Sequence, residues 1–236
     1  MKLDPSFIGT AFASLLPAIP TTLAITAVSM VCGLVIGTIV ALLRIYKVPV
    51  LHSIAAGYVN FIRGTPMLTH LLLIYFGLSF LVDSLSEKYG WSFNSVAIPM
   101  IGFAYIAFSV TAGAYLSEVV RAGLLAVSKG QLEAAYSIGM TPPQALRRIV
   151  FPQAFAILLP NLSSSTIGML HASTLAFTVS VVDITAKSQI VASSNWKFLE
   201  AYIAAAIIYW GLTLLIEKLT AVLEKRINIY NRGGVT

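Results

Sequence analysis

The sequence predicts an all-α polytopic membrane protein with about five transmembrane helices. Hydrophobic residues make up 58% of the 236 residues and charged residues only 10%, where a soluble domain is nearer ~25% charged. The mean hydropathy is +0.87. The charges are also clustered, leaving apolar runs close to the ~20 residues that a helix needs to cross a bilayer. Fifteen Lys and Arg with nine Asp and Glu are too few to cover the surface of a water-soluble globule. The composition therefore argues against a soluble enzyme, a nucleic-acid binder and a disordered chain. The net charge of +6 reads as membrane topology instead. The lone Cys32 excludes an intramolecular disulfide framework and a multi-cysteine metal site.

The spans follow from the charge-free runs. Asp4 and Arg44 bracket 39 uncharged residues, and the part after Pro20, Thr21 to Leu43, is the first span. The first 17 residues lack the short, cleavable pattern of a secretory signal, so the apolar start reads as retained. Arg63 and Asp83 bracket a second run of 19, and Lys88 and Glu118 a third of 29 with its core at Ala97 to Tyr115. Arg148 and Asp183 bracket a fourth of 34, which Pro160, Gly168 and the polar run Ser163 to Thr166 are expected to interrupt. Glu200 and Glu217 bracket a fifth of 16, Ala201 to Ile216, extended by Trp196, Phe198 and Leu219. The chain has no fixed-period repeat and no long linker, so residues 1–236 read as one membrane domain.

Lys and Arg accumulate on the cytoplasmic side of membrane proteins. With five spans, the segments 44–63, 121–148 and the tail after 217 share one side and hold eleven of these residues, including Arg232. The other side holds four: Lys2, Lys88, Lys187 and Lys197. The N-terminus is thus expected outside and the C-terminus in the cytoplasm. Tyr89, Trp91, Trp196 and Tyr230 fall near the expected interfaces.

The longest polar loop, about 128–152, is densely punctuated. Ser128 with Gln131 has the spacing of a capping box. Ala134 and Ala135 favour helix, and Gly139 suits a left-handed cap. Thr141 followed by Pro142 suits the start of a second helix, with Arg147 and Arg148 at its C-terminal end and Pro152 opening the fourth span. Two short helices joined by a glycine elbow result, on the cytoplasmic side.

Glu133-Ala134-Ala135, Gly139 and Ile149-x-Phe151-Pro152 resemble the EAA loop of ABC importer permeases, with Phe151 where that family more often has Leu. Phe61-Ile62-Arg63-Gly64-Thr65-Pro66, Ala114-Tyr115-Leu116-Ser117-Glu118-Val119-Val120-Arg121 and Lys129-Gly130-Gln131 are similar to motifs of the polar amino-acid permeases. The resemblance runs over nearly the whole chain. It implies a bacterial inner-membrane permease for amino acids. Such a permease pairs with a second copy or a homologous permease, two cytoplasmic ATPase subunits and an extracytoplasmic substrate-binding protein. The ATPase-coupling positions implied are Glu133, Ala134, Ala135, Gly139, Arg147 and Pro152. No cofactor is expected in this chain: ATP and Mg would be bound by the partner ATPase, and no Gly-Lys dipeptide exists to open a phosphate-binding loop. An enzymatic role is not expected, and the three histidines lack metal-ligand spacing. A self-sufficient secondary transporter or channel is the alternative, in which the loop would be idle.

Three polar places remain. Glu118 and Arg121, three apart on one helix face, can pair for membrane stability or gating. The break at Arg63-Gly64-Thr65-Pro66, with Thr69 and His70 after it, must line a cavity or be buried in protein. His171, Ala172, Ser173 and Thr174 stand where amino-acid permeases commonly read Lys-Asp-Thr-Ser. They are either substrate-pathway residues or inter-helix hydrogen-bonding groups. Ala172 in place of the acid removes a counter-charge for a cationic side chain. The continuation to Asp183 looks most like permeases for cystine and other sulfur amino acids.

Overall fold

The computed structural model describes residues 3–231, and every regular element among them is helical. Lys2 and Arg232, counted above for topology, lie outside the described residues, as does the side chain of Tyr230. Helix α1 (Pro5–Leu15) and α2 (Ile19–Ile45) are joined by a single 3₁₀ turn and form one helical run of 41 residues. At ~1.5 Å per residue this is about 60 Å, roughly twice the hydrocarbon thickness. Pro5, Pro17 and Pro20 all fall in first-turn positions, where a missing N–H breaks nothing. The helical run therefore starts well before Thr21. Asp4 caps α1, its carboxylate accepting from the N–H groups of Ser6 and Phe7.

The segment 44–63 is more than a connector. It contains α3 (Leu51–Arg63), which buries Ala55, Val59 and Ile62, spaced for one helical face. The chain breaks at Gly64–Pro66 and α4 (Met67–Tyr89) rises from it. A 3₁₀ turn at Ser95–Ala97 leads to α5 (Met100–Ala126), so this span starts later and ends later than the sequence indicated.

Helix α5 is the axis of the fold, buried on most of its circumference and packed against α2, α4 and α8. Its contact with α2 is exceptionally close. A Cβ on Gly33 would lie 2.6 Å from the Ala112 Cβ, and one on Gly37 would lie 2.8 Å from the Ser117 backbone nitrogen. Gly33 and Gly37 are four apart, the spacing that lets two membrane helices touch backbone to backbone.

Helix α6 (Lys129–Ser137) and α7 (Pro142–Ala145) form the polar loop. From α7 the helix does not stop. It passes through a π turn at Leu146–Val150 into α8 (Phe151–Ala172), with the Phe151 N–H bonding back five residues to the Leu146 carbonyl. Pro152 has no N–H to offer the Arg148 carbonyl, and the ladder slips by one just before it. Arg147 and Arg148 thus sit within a continuous helix rather than at a C-terminal end. Pro160 and the Ser163–Thr166 run do not interrupt α8 either. The hydroxyls of Ser164, Ser165 and Thr166 donate to carbonyls four residues back, which keeps them satisfied inside the helix.

The irregularity comes later, as a 3₁₀ stretch at Ser173–Val179 followed by α9 (Ile184–Ser193), bent by 52° from the preceding helix. Asp183 is fully buried. It caps α9 through the Ala186 N–H at 2.8 Å and accepts from the Tyr209 hydroxyl of α10 at 3.1 Å. Helix α10 (Phe198–Asn231) is far longer than the 16-residue run of the sequence. By length and composition four helices can cross a membrane, and five if the bent pair is one span. Small residues pack α1, α9 and the start of α10 together: Ala11, Ala18, Ala192, Ala201, Ala204 and Ala205.

Candidate functional site

Two features are the candidates for a functional site: the elbow between α6 and α7, and a cavity inside the bundle.

The elbow is built by backbone hydrogen bonds. Gly139 has φ +80°, a left-handed conformation that suits glycine. Its N–H donates to the Tyr136 carbonyl at 2.9 Å, and the Met140 N–H to the Ala135 carbonyl at 3.0 Å. These two bonds are the Schellman pattern that ends a helix. On the next helix the Gln144 side chain accepts from the Thr141 N–H at 2.9 Å, so the capping interaction belongs to Thr141 and Gln144. The box expected at Ser128 and Gln131 does not form: the Ser128 hydroxyl makes no cap bond, and the Gln131 side chain accepts from Gln153 instead. Ala135 is buried, while Glu133, Ala134, Gly139, Arg147 and Pro152 are exposed. Ile138, also on the elbow, is 75% exposed. The loop therefore presents acidic, basic and apolar groups on a fixed backbone.

The cavity, about 260 Å³, lies where α2, α4, α5 and α8 meet. Met30, Met67, Thr111, Tyr115, Ser165, Met169 and Ala172 are among its walls. One of the two polar places of the sequence reaches it through Thr111. His70 is almost wholly buried and is held on both ring nitrogens. Nε2 lies 2.6 Å from the Thr65 hydroxyl and Nδ1 lies 3.2 Å from the Thr111 hydroxyl. The Thr65 hydroxyl donates to the Phe61 carbonyl at 2.7 Å, so it must accept from Nε2–H. In the neutral ring Nδ1 then accepts from Thr111. The ring, protonated on Nε2, fastens the break before α4 to α5. Thr69, by contrast, is exposed and away from this clasp.

The second polar place divides. Ala172 faces the cavity. His171 turns to α10, with Nε2 3.2 Å from the Thr213 hydroxyl and its ring edge on Tyr209. Ser173 and Thr174 donate to the carbonyls three residues back, Leu170 and His171, which stitches the 3₁₀ stretch locally. Of the sequence-predicted pathway residues the structure thus places Ala172 on the cavity wall, joins Thr65 and His70 to the wall residue Thr111 by hydrogen bonds, and leaves Thr69, His171, Ser173 and Thr174 with other contacts. Met30, Met169 and Thr111 belong to no motif in the sequence, while Tyr115 lies in the Ala114–Arg121 motif and Ser165 in the polar run, neither of which pointed to a cavity. Only the Gly33–Gly37 spacing, which seats α2 on α5, hints at where Met30 and Thr111 meet.

Glu118 and Arg121 do pair: Arg121 Nε and Nη2 donate to Glu118 Oε2 at 3.0 and 2.7 Å. Arg44 at the end of α2 bonds the other carboxylate oxygen, a partner 74 residues away in sequence that spacing along one helix could not reveal.

Comparison with known proteins agrees with this architecture. Residues 33–229 match the family described as binding-protein-dependent transport system inner membrane component. The chain is 39% identical to a probable amino-acid permease protein, YxeN, of Bacillus subtilis (strain 168), over 94% of this chain and 95% of that one. It is 37% identical to the L-cystine transport system permease protein TcyL of the same organism, over 95% and 91%. Among solved structures, an amino acid ABC transporter crystallised with histidines superposes with a TM-score of 0.80 and 32% identity, over 96% of this chain and 100% of that one. The chain therefore belongs to the binding-protein-dependent transport system inner membrane component family, as a multi-pass permease of the amino-acid ABC transporter type.

Proposed function

We propose that the chain imports amino acids by alternating access, as one of a pair of permease subunits driven by separate cytoplasmic ATPases and fed by an extracytoplasmic binding protein. One observation carries the reading. The helix is continuous from Pro142 at the elbow, through the π turn, to Ala172 at the cavity wall. A stiff rod of this kind transmits a displacement of the elbow to the cavity, because packed helices move as units. The end of the bundle that carries the elbow faces the cytoplasm in this reading, with Glu133, Ala134, Ala135, Gly139, Arg147 and Pro152 at the ATPase contact. ATP and Mg bind in the ATPase, and the exposed Ile138 and Tyr136 give the motor an apolar grip.

The substrate passes the cavity, and its walls favour a neutral or sulfur-containing amino acid such as cystine. Three methionines supply a polarizable apolar lining, Thr111, Tyr115 and Ser165 supply hydroxyls, and no acid among the described residues lines the space. TcyL, a relative named for L-cystine transport, supports the same lean.

Reconstitution with the ATPase and binding protein in proteoliposomes tests the whole reading. ATP-dependent uptake of neutral amino acids or cystine is expected. Uptake without ATP would assign the chain to secondary transporters or channels instead. Ala172→Asp is expected to move preference toward cationic amino acids that the binding protein presents, read as a ratio of uptake rates. Orientation is tested in a Cys32→Ser background, where Lys88→Cys should react with an impermeant thiol reagent from outside and Lys129→Cys from inside. Labelling of both from one side overturns it.

A further inference from the structure

Three guanidinium groups converge on the single carboxylate of Glu118. Arg44 takes Oε1 and Arg121 takes Oε2 twice. Arg63, in the last turn of α3, reaches only to 3.8 Å from Oε1, beyond hydrogen-bond length. One negative charge faces three positive ones, so the cluster carries a surplus of positive charge that its own acid does not neutralise. Arg63 is where that surplus is free. Its side chain is the most exposed of the three, 48% against 17% for Arg44 and 37% for Arg121. Among the described residues it donates no hydrogen bond.

Its position is as telling as its charge. The Arg63 Cζ lies 6.0 Å from the ring centroid of Tyr115, and Tyr115 is a wall of the cavity. Met67, four residues after Arg63 and across the chain break, is another wall. The guanidinium therefore stands beside the cavity on the side nearer the elbow.

We propose that Arg63 is the group that receives the substrate's α-carboxylate as it leaves the cavity toward the elbow. This rests on the reading that amino acids cross this cavity. The chemistry fits the one feature shared by all amino-acid substrates. A planar guanidinium offers a fork of N–H donors to a carboxylate, which it holds by paired charge-assisted hydrogen bonds. Glu118 provides the release. At 3.8 Å it is near enough to reclaim Arg63 when the carboxylate departs, so the substrate exchanges against an internal acid and is not trapped. Arg44 and Arg121 keep Glu118 in place throughout.

The test uses proteoliposomes holding the permease with its ATPase and binding protein. The external probe is a mixture of the twenty common L-amino acids plus L-cystine, quantified inside by mass spectrometry alongside ATP hydrolysis. Arg63→Gln is expected to lower uptake per ATP hydrolysed roughly ten-fold or more, with hydrolysis still stimulated by the loaded binding protein. Arg63→Lys, which keeps the charge but loses the fork, is expected to fall between the unmodified chain and Arg63→Gln. Unchanged uptake per ATP in Arg63→Gln overturns the proposal. So does hydrolysis falling in parallel with uptake, which marks a structural role. Absence of ATP-dependent uptake of any amino acid by the unmodified chain overturns the transport reading itself, and the proposal with it.

Discussion

Glycine does two different jobs at the two ends of this molecule's mechanics. In the seam between α2 and α5 it supplies space. Added Cβ atoms on Gly33, Gly37 or Gly113 would fall between 2.6 and 2.8 Å from their nearest neighbours, inside any real contact. At the elbow it supplies a backbone angle. Gly139 has φ +80°, and a Cβ there would meet nothing within 4 Å. The seam is thus tolerant of conformation and intolerant of volume, and the elbow is the reverse. In the proposed transport cycle the seam makes a packed unit that moves as one body, and the elbow is the shaped handle by which it is moved.

The seam should give the largest effects, graded by what the new atoms strike. Gly37 faces the Ser117 nitrogen and the Gly113 carbonyl oxygen, backbone atoms that cannot step aside. Gly37→Leu is expected to cost upwards of ~3 kcal/mol and to remove the folded protein from detergent extracts, measured by size-exclusion yield. Gly113→Ala strikes mainly the side chain of Ile36. It should therefore be milder, and Ile36→Ala should recover much of the lost melting temperature. A Gly113→Ala variant that ignores Ile36 would break the steric account.

Next in size is the clasp at His70, a polar fastening of the same packed body. His70→Leu removes both of its hydrogen bonds to Thr65 and Thr111 while keeping the volume. A loss of about 1–3 kcal/mol is expected, because buried hydroxyls lose partners. The double variant His70→Leu with Thr111→Val should recover part of it, since removing both partners leaves nothing stranded. Equal melting of the single and double variants would show that Thr111 finds another acceptor.

The seam and the elbow were also unequally legible in the sequence. The charge-free runs gave the spans, and Gly139, Thr141 and Pro142 announced the elbow, because caps and turns are local. The seam was written in the spacing of Gly33 and Gly37, a signal that was readable and passed over. Helix α3 was missed because its face of Ala55, Val59 and Ile62 is short and lies among charges. Pro160 misled, since a proline within a membrane helix is tolerated where neighbouring groups satisfy the freed backbone. Of the cavity, only Ala172 was legible as a candidate. Met30, Met67, Thr111 and Met169 come from four helices, and nothing local says that they meet.

Gly139 should give a smaller stability effect with its own order. Gly139→Ala is expected to cost about 1 kcal/mol through its positive φ, and Gly139→Asn less, because Asn tolerates that region. Gly139→Val should be worst, being β-branched. Coupled uptake per ATP should follow the same order, Asn above Ala above Val, with the protein still inserted in the membrane. An order that follows side-chain size, or no effect in any of the three, would return the elbow to a plain connector.

The smallest effect belongs to the start of the chain, where neither space nor backbone angle is at stake. The Lys197 ammonium lies 2.6 Å from Asp4 Oδ2, and this bond, with a second from the Ser6 hydroxyl, holds the Asp4 carboxyl well below the usual carboxylate range. A depressed pKa in the folded state means stability that is present above the unfolded value of 3.8 and is lost as pH falls toward the folded value. The pair is solvated, so the contribution is small and screened by salt. Asp4→Asn keeps the helix cap, since Asn caps as well as Asp, and removes only the charge. The melting-temperature difference between the unmodified chain and Asp4→Asn should therefore be slight and level between about pH 7 and 5. It should shrink as the pH drops through 3.8 and shrink also with added salt. Ala11 and Leu15 remain buried against α9 and α10 in either protein, and that packing is why a lost ion pair leaves α1 in place. A difference that grew on acidification would mean that Asp4 is stabilised in its protonated form, and that Lys197 is not its effective partner.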